Sequence, residues 1–253
     1  MKQYQRYFLP IGTFILVLGI WEILVRILKI SSYVLPTPSK IVTAIVSDFE
    51  NLWLHSMVTL GEALLGLVIA AVLAVLIAVL MDLSKTMYHS VFPYLVVTQT
   101  VPVLVLGPLF TIWFGFGMMP KVLIVVLMCF FPIIISLSDA LQNVDKHQMN
   151  LLRSFGANKI QQYLYVKLPA AATALISGLK VSATYCIGGA IVGEWLSASA
   201  GLGYYMIRLK NGFAMDKVFA CVIAIIFWSL ILNLVITVIE RRIFPYKKGK
   251  KYG

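Results

Sequence analysis

The chain has 253 residues, of which 60% are hydrophobic and only 12% charged, with a mean hydropathy of +0.92. Soluble domains carry about 45–50% apolar and about 25% charged residues, so the composition excludes an ordinary soluble protein and points to an all-α, polytopic membrane protein. The net charge of +11 would suggest nucleic acid in a soluble chain, but here the placement of the charges follows a membrane topology, and nucleic acid is not expected as a partner.

Residues 1–34 combine a basic start with a first span at 8–28. No small-residue cleavage site follows it, so the span is expected to be retained. Glu22 and Arg26 lie one helical turn apart, spaced for an ion pair. Leu35-Pro36-Thr37-Pro38 then breaks the chain. Thr37 can cap a helix whose first residue is Pro38, and Ile41, Ile45 and Phe49 share one face of it. Residues 35–55 therefore read as an external elbow with an interfacial helix.

The core is expected at 56–243. Residues 63–81 carry no charge and are long enough to cross roughly 30 Å of hydrocarbon. The uncharged stretch at 86–120 is too long for one simple span. Pro93, Pro102 and Pro108 divide it, which predicts a third span at 90–106 followed by a short broken helix shielded by protein. A fourth span is predicted at 122–137. A fifth, at 171–195, is rich in Ser, Ala and Gly, and Gly189 and Gly193 give it a G-x-x-x-G face for close helix packing, within the chain or between copies. A polar, Gly-rich loop is expected at 196–215, a sixth span at 218–239 and a basic tail at 244–253.

Between the fourth and fifth spans lies the most organised polar stretch, residues 143–169. Val144, Leu151, Leu152 and Phe155 recur at helical spacing. Gly156 supplies a left-handed helix end. Asn158 can cap a second helix carrying Ile160, Tyr163, Leu164 and Leu168, and Pro169 is expected to close it. The stretch predicts a helix–turn–helix knob. With six spans, about two-thirds of the Lys and Arg fall on the side of the knob and both termini, so the positive-inside rule makes that side cytoplasmic. The basic tail can rest on anionic membrane lipid.

The sequence holds no G-x-x-x-x-G-K-[ST], G-x-S-x-G, H-E-x-x-H or CxxC motif, and its three cysteines lie in apolar segments without metal-ligand spacing. No catalytic residue, cofactor or metal site is expected. An intramembrane enzyme or a secondary transporter are the alternatives of another class. Glu62 and Glu194, near span ends, are candidates for a translocation pathway, because charge inside a membrane is costly and often functional. Gln99 and Thr100 beside Pro102, Tyr185 on the small-residue span, and Trp195 complete that candidate set. Trp113 and Trp195 also suit interfacial anchoring.

The knob resembles the cytoplasmic motif E-A-A-x3-G-x9-I-x-L-P of permease subunits of binding-protein-dependent ABC importers. Gly156, Leu168 and Pro169 match in spacing, Val166 replaces Ile, and Asn150-Leu151-Leu152 stands where the family has Glu-Ala-Ala. From about 35 to 243 the chain looks like a type I importer permease of the branch handling nitrate, taurine, alkanesulfonates and thiamine or riboflavin precursors. Leu35-Pro36-Thr37-Pro38, Trp113-Phe114-Gly115-Phe116-Gly117 and Ser199-Ala200-Gly201-Leu202-Gly203 carry that likeness. The resemblance implies a six-span permease fold in a prokaryotic plasma membrane and a second permease copy, as a homodimer. It implies ATP-binding cassette ATPase subunits that bind the ATP and Mg, and an extracytoplasmic solute-binding protein. It assigns ATPase coupling to Leu151, Leu152, Arg153, Phe155, Gly156 and Ala157. Glu194-Trp195-Leu196 and the run from Leu151 to Ala157 resemble members assigned to a hydroxymethylpyrimidine thiamine precursor. Riboflavin-like compounds, alkanesulfonate or taurine, and nitrate are the alternatives.

Overall fold

The computed structural model describes residues 3–244. Lys2 and, apart from Phe244, the predicted basic tail lie outside the described residues. Among the described residues every regular element is helical. In chain order these are α1 (Gln3–Ile27), α2 (Pro38–Ser47), α3 (Phe49–Leu83), α4 (Lys85–Thr98), α5 (Val103–Phe114), α6 (Met118–Gln142), α7 (Lys146–Ser154), α8 (Lys159–Gln162), α9 (Leu168–Ser197), α10 (Leu202–Asn211) and α11 (Met215–Ile243). Among the described residues five helices are long and apolar enough to cross a membrane, and the bent pair α4–α5 makes up to six if it is one broken span.

The centre is a slab of three helices, with α6 between α3 and α9. About half of the apolar window of α6 is buried (56%), against 6% for α1 and for α11, so the last two present their sides to lipid. Small residues make the slab possible. Ala63, Ala70, Ala74 and Ala78 line the buried face of α3. A Cβ added at Gly66 would meet Val125 of α6 at 2.5 Å, and one at Gly178 of α9 would meet the Ile133 backbone at 2.8 Å. Gly189 faces Val125, and Gly193 lies against the Lys121 backbone. The G-x-x-x-G face is thus used inside the chain. In lipid no hydrophobic drive pulls helices together, so this close approach supplies the dispersion contact instead. Ser182 adds a polar stitch, donating its hydroxyl to the Cys129 carbonyl at 2.7 Å.

The elbow forms as its turn chemistry dictates. Thr37 accepts from the Lys40 N–H, Pro38 sits in the first turn of α2, and Arg26 Nε donates to Glu22 at 2.6 Å. Glu22 also accepts from the Ser39 N–H at 3.1 Å, so the end of α1 holds the start of α2.

Four boundaries differ from expectation. The span predicted at 63–81 is part of a single long helix that starts at Phe49, because nothing between Phe49 and Glu62 breaks it. The third span breaks at 99–102 rather than beyond 106: α4 and α5 meet at 98°. Pro102 opens α5, whereas Pro93 and Pro108 lie inside helices. The loop predicted at 196–215 contains α10, whose Leu202, Tyr205 and Leu209 are buried at helical spacing. Last, Pro169 does not end the second knob helix. A π turn, Tyr163–Lys167, carries the chain from α8 directly into α9. A π turn re-registers the backbone bonds locally, which accommodates the N–H that Pro169 lacks.

The slab predicts opposite outcomes for two glycines of α9. At Gly188 an added Cβ meets nothing within 4 Å, whereas at Gly193 it meets the Lys121 Cα at 2.8 Å. Gly188→Ala should hold or raise the thermal midpoint in detergent, since Ala is the better helix former by about 1 kcal/mol. Gly193→Ala should lower it, overpacking costing about 1–3 kcal/mol.

Candidate functional site

The knob is built by local capping. Asp145 accepts from the His147 N–H at 2.8 Å and starts α7, three residues after the end of α6. Val144 therefore lies before the helix, outside the face predicted for it. At the other end Gly156 adopts φ +76. Its N–H donates to Arg153 at 2.9 Å and the next, of Ala157, to Leu152 at 3.0 Å, the paired bonds of a Schellman motif. Asn158 and Gln161 cap α8 reciprocally, at 2.9 and 2.8 Å. Gln162 is buried and latches the two helices: it donates to the Ala157 carbonyl at 2.9 Å and accepts from Arg153 Nε at 3.4 Å.

The residues assigned to coupling fall into two groups. Leu151 and Phe155 are 58% and 79% exposed, and Ile160 joins them at 70%. Leu152 and Ala157 are half-buried and hold the turn, as does Gly156, while Arg153 leans on Gln162. Sequence reasoning missed Gln162 and the Asp145 cap. The latter was readable, since Asp is among the strongest caps.

At the base of the knob, Lys167 Nζ donates to both carboxylate oxygens of Asp82, at 2.7 and 2.8 Å. Its ammonium lies 5.8 Å from the Tyr163 ring centre. A cleft of about 470 Å³ separates the end of α3 from the knob, between Asp82 and Leu83 on one side and Met149, Arg153 and Ile160 on the other.

The six pathway candidates fall at two levels, the end remote from the knob and the α4–α5 break. Glu62 and Glu194 lie in the slab, each 2% exposed, toward the end remote from the knob. Glu62 pairs with Lys121, a buried cation at the start of α6 that a span predicted from 122 leaves out. Glu194 accepts from the Thr59 hydroxyl at 2.7 Å and from the Gly203 N–H. The loop wraps this carboxylate so closely that Gly201 (φ +108) and Gly203 have no room for a Cβ. Removing one partner from such a buried pair costs about 3–5 kcal/mol, so these charges hold the remote end together. Gln99 and Tyr185 meet in a groove of about 410 Å³ at the α4–α5 break, with Met128, Phe131 and Pro132; none of its lining residues is charged. Thr100 stands beside it, exposed, donating to the Val97 carbonyl at 2.7 Å. Trp195, with Phe116 and Tyr204, lines a cleft of about 540 Å³ at the remote end, whose lining also includes Glu194 and Lys121.

That end is closed by a second network. Tyr205 donates to Asp48, which also accepts from Asn51 at 2.9 Å and pairs with Lys217 at 3.2 Å. His55 accepts from the Gly201 N–H at 3.1 Å and stacks on Tyr205 with ring centres 4.5 Å apart. Burial pushes the Asp48 carboxyl up, but the bonds from Tyr205, Asn51 and Lys217 outweigh it and hold the group below its ordinary value. Burial, then the bond to Asp48, pushes the Tyr205 phenol up. Among the described residues no cluster of three or more His, Cys, Asp or Glu could hold a metal ion.

Residues 66–245 match the model of a family described as binding-protein-dependent transport system inner membrane component. The chain is 34% identical to a probable ABC transporter permease protein of Haemophilus influenzae, over 85% of this chain and 88% of that one. It is 32% identical to the formylaminopyrimidine transport permease protein ThiX of Halalkalibacterium halodurans, over 98% and 99%. In fold it is similar to a chain of the crystal structure of an amino acid ABC transporter with histidines, with a TM-score of 0.64 at 21% identity, over 79% of this chain and 97% of that one.

The Asp48 network carries a pH dependence. A carboxyl whose folded value is depressed contributes stability that is present above its unfolded value, about 3.9, and is lost as pH falls through the folded value. Thermal midpoints in detergent should therefore fall on acidification below about pH 4, and Asp48→Asn should be less stable at neutral pH with a flatter acid limb.

Proposed function

The chain belongs to the family of binding-protein-dependent transport system inner membrane components, and from that premise we propose that its knob is the docking element for a separate ATPase. It is an ABC importer permease for small solutes, a multi-pass membrane protein whose helices cross the bilayer and whose family is not catalytic. ATP and Mg then belong to the partner subunits. The positive-inside distribution of Lys and Arg supports a cytoplasmic position for the knob and both termini. A second copy completes the pathway, and an extracytoplasmic binding protein delivers the solute at the remote end.

One observation carries the reading: Leu151, Phe155 and Ile160 stand exposed on a rigidly capped knob. Apolar side chains clustered on a small polar element mark a protein contact. Coupling requires that the ATPase bind two permease conformations with different affinity, and a knob with fixed internal geometry can pass that difference on.

For the substrate, the reading is a thiamine-precursor pyrimidine. Its support is the likeness to a formylaminopyrimidine permease over nearly the whole length. The groove holding Gln99 and Tyr185 offers an amide and a phenol without a cation. Lys180, a span cation, is already paired with Glu240. An uncharged heteroaromatic suits these surroundings better than a sulfonate or nitrate. Riboflavin-like compounds, as named for a relative 27% identical, remain the second reading on the same grounds.

Gly156→Val tests the docking role. A left-handed backbone costs a residue with a Cβ about 1–2 kcal/mol, and the φ of +76 demands it here. The variant should insert normally and fail to take up hydroxymethylpyrimidine tracer in cells that also make the ATPase and binding protein. Normal uptake would remove the knob from the mechanism. In the purified complex, binding-protein-stimulated ATP turnover should rise with hydroxymethylpyrimidine and not with taurine or nitrate.

A further inference from the structure

The cleft of about 470 Å³ at the base of the knob is lined by three cations, Arg153, Lys159 and Lys167, and one acid, Asp82. Asp82 and Lys167 satisfy each other, both carboxylate oxygens accepting from the one ammonium at 2.7 and 2.8 Å. Arg153 and Lys159 are left without an acidic partner among the described residues. Arg153 is nevertheless held in place. The buried Gln162 side chain accepts from its Nε at 3.4 Å, which uses none of the terminal guanidinium nitrogens. Two uncompensated cations lining one cleft make it attractive to an anion.

The rest of the lining is suited to something apolar. Leu83, Ile160 and Leu164 all border the cleft and are exposed. Leu83 also ends a stripe on α3: Leu76, Leu80 and Leu83 recur at i, i+4 and i+7, and all three are exposed. Asp82 is the first charge after the uncharged run at 63–81, so the cleft stands where this span leaves the hydrocarbon. An apolar track along a span thus leads into a basic cleft at the membrane surface. Basic clefts of this kind between spans suit lipid headgroups.

We infer that the cleft binds the headgroup of an anionic phospholipid, with Arg153 and Lys159 on its phosphate and its acyl chains along Leu76, Leu80 and Leu83. A soluble anion would use the cations and leave the leucine track bare, whereas a lipid uses both. The site goes beyond the importer reading and does not depend on it. It requires only that the knob end of α3 meet a membrane surface.

The test uses the full chain in neutral detergent, titrated with phosphatidylglycerol that carries a photoreactive group on its headgroup. Bound lipid is counted after illumination and located by peptide mapping. The label should fall in the peptides that hold Leu83 or Lys159. Lys159→Gln should weaken binding about fivefold, the weight of one cation near an anionic lipid surface, and Lys159→Arg should retain it. Lys210→Gln removes an equal charge from an exposed position on α10 and should change nothing. Neither phosphatidylcholine nor an excess of glycerol phosphate should displace the lipid. The inference is overturned if Lys159→Gln binds as the parent does, if Lys210→Gln loses as much, or if the label falls only elsewhere. Displacement by phosphatidylcholine would overturn it as a site for anionic lipid, and displacement by glycerol phosphate would make it a site for a soluble anion. An unchanged titration for Lys159→Gln with reduced ATPase capture would give the cleft to the partner subunit instead. Labelling as expected in a chain that captures no ATPase would support the lipid site while overturning the docking role of the knob.

Discussion

The close approach of α6 to α3 and α9 is the constraint on which the rest depends. Lipid tails are as apolar as Leu or Val, so helices in a bilayer gain nothing merely by hiding apolar surface from it. They gain by contact that lipid matches poorly, and contact requires small residues. Gly66, Gly178 and Gly193 set that distance, and the alanines of α3 continue it. The large side chains are displaced outward: Leu65, Val68, Val72 and Leu76 stand exposed on α3, where a membrane would cover them. The slab is the result, and the other helices attach to it more loosely.

Charged groups at membrane depth are the second constraint, and several of them are met by a partner. Glu62 has Lys121, Lys180 has Glu240, and Glu194 has Thr59 with the Gly203 N–H. Each arrangement avoids the cost of an uncompensated charge in a low-dielectric setting. The buried Glu62 and Glu194 lie among their partners at the remote end, where Glu194 also borders the cleft beside Trp195, while the uncharged Gln99 and Tyr185 line a groove at the α4–α5 break. Two clefts lie at opposite ends, one beside Trp195 and one beside Asp82.

Most of the architecture was legible because it depends on local periodicity and charge. Uncharged runs located the spans, the small-residue face of α9 announced close packing, and Gly156 with Asn158 outlined the knob. Other features depend on partners far along the chain. Lys121 looks like a loop cation until α3 places Glu62 beside it. Lys167 looks like one basic residue among several until Asp82, on another helix, is brought to within 2.8 Å. The α10 helix hid in a Gly-rich stretch, since only Leu202, Tyr205 and Leu209 signal it. Pro169 was misleading because a π turn upstream accommodates it, and no residue type marks such a turn. In the candidate site, the exposed tip of the knob follows from sequence spacing, whereas its latch at Gln162 and its tie to α3 follow only from tertiary placement.

In an ATP-driven importer of this build, energy enters at the knob. Its exposed tip is apolar, its turn is held by two backbone bonds and a capping box, and its two ends run into α6 and α9 of the slab. The most direct measurement is a photo-crosslink in living cells, with a photoreactive amino acid at Phe155. The account predicts that illumination joins this chain to an ATP-binding subunit, and that the same group at Phe116, at the remote end, does not. Capture of lipid alone at Phe155, or of no protein in cells shown to take up the solute, would contradict it.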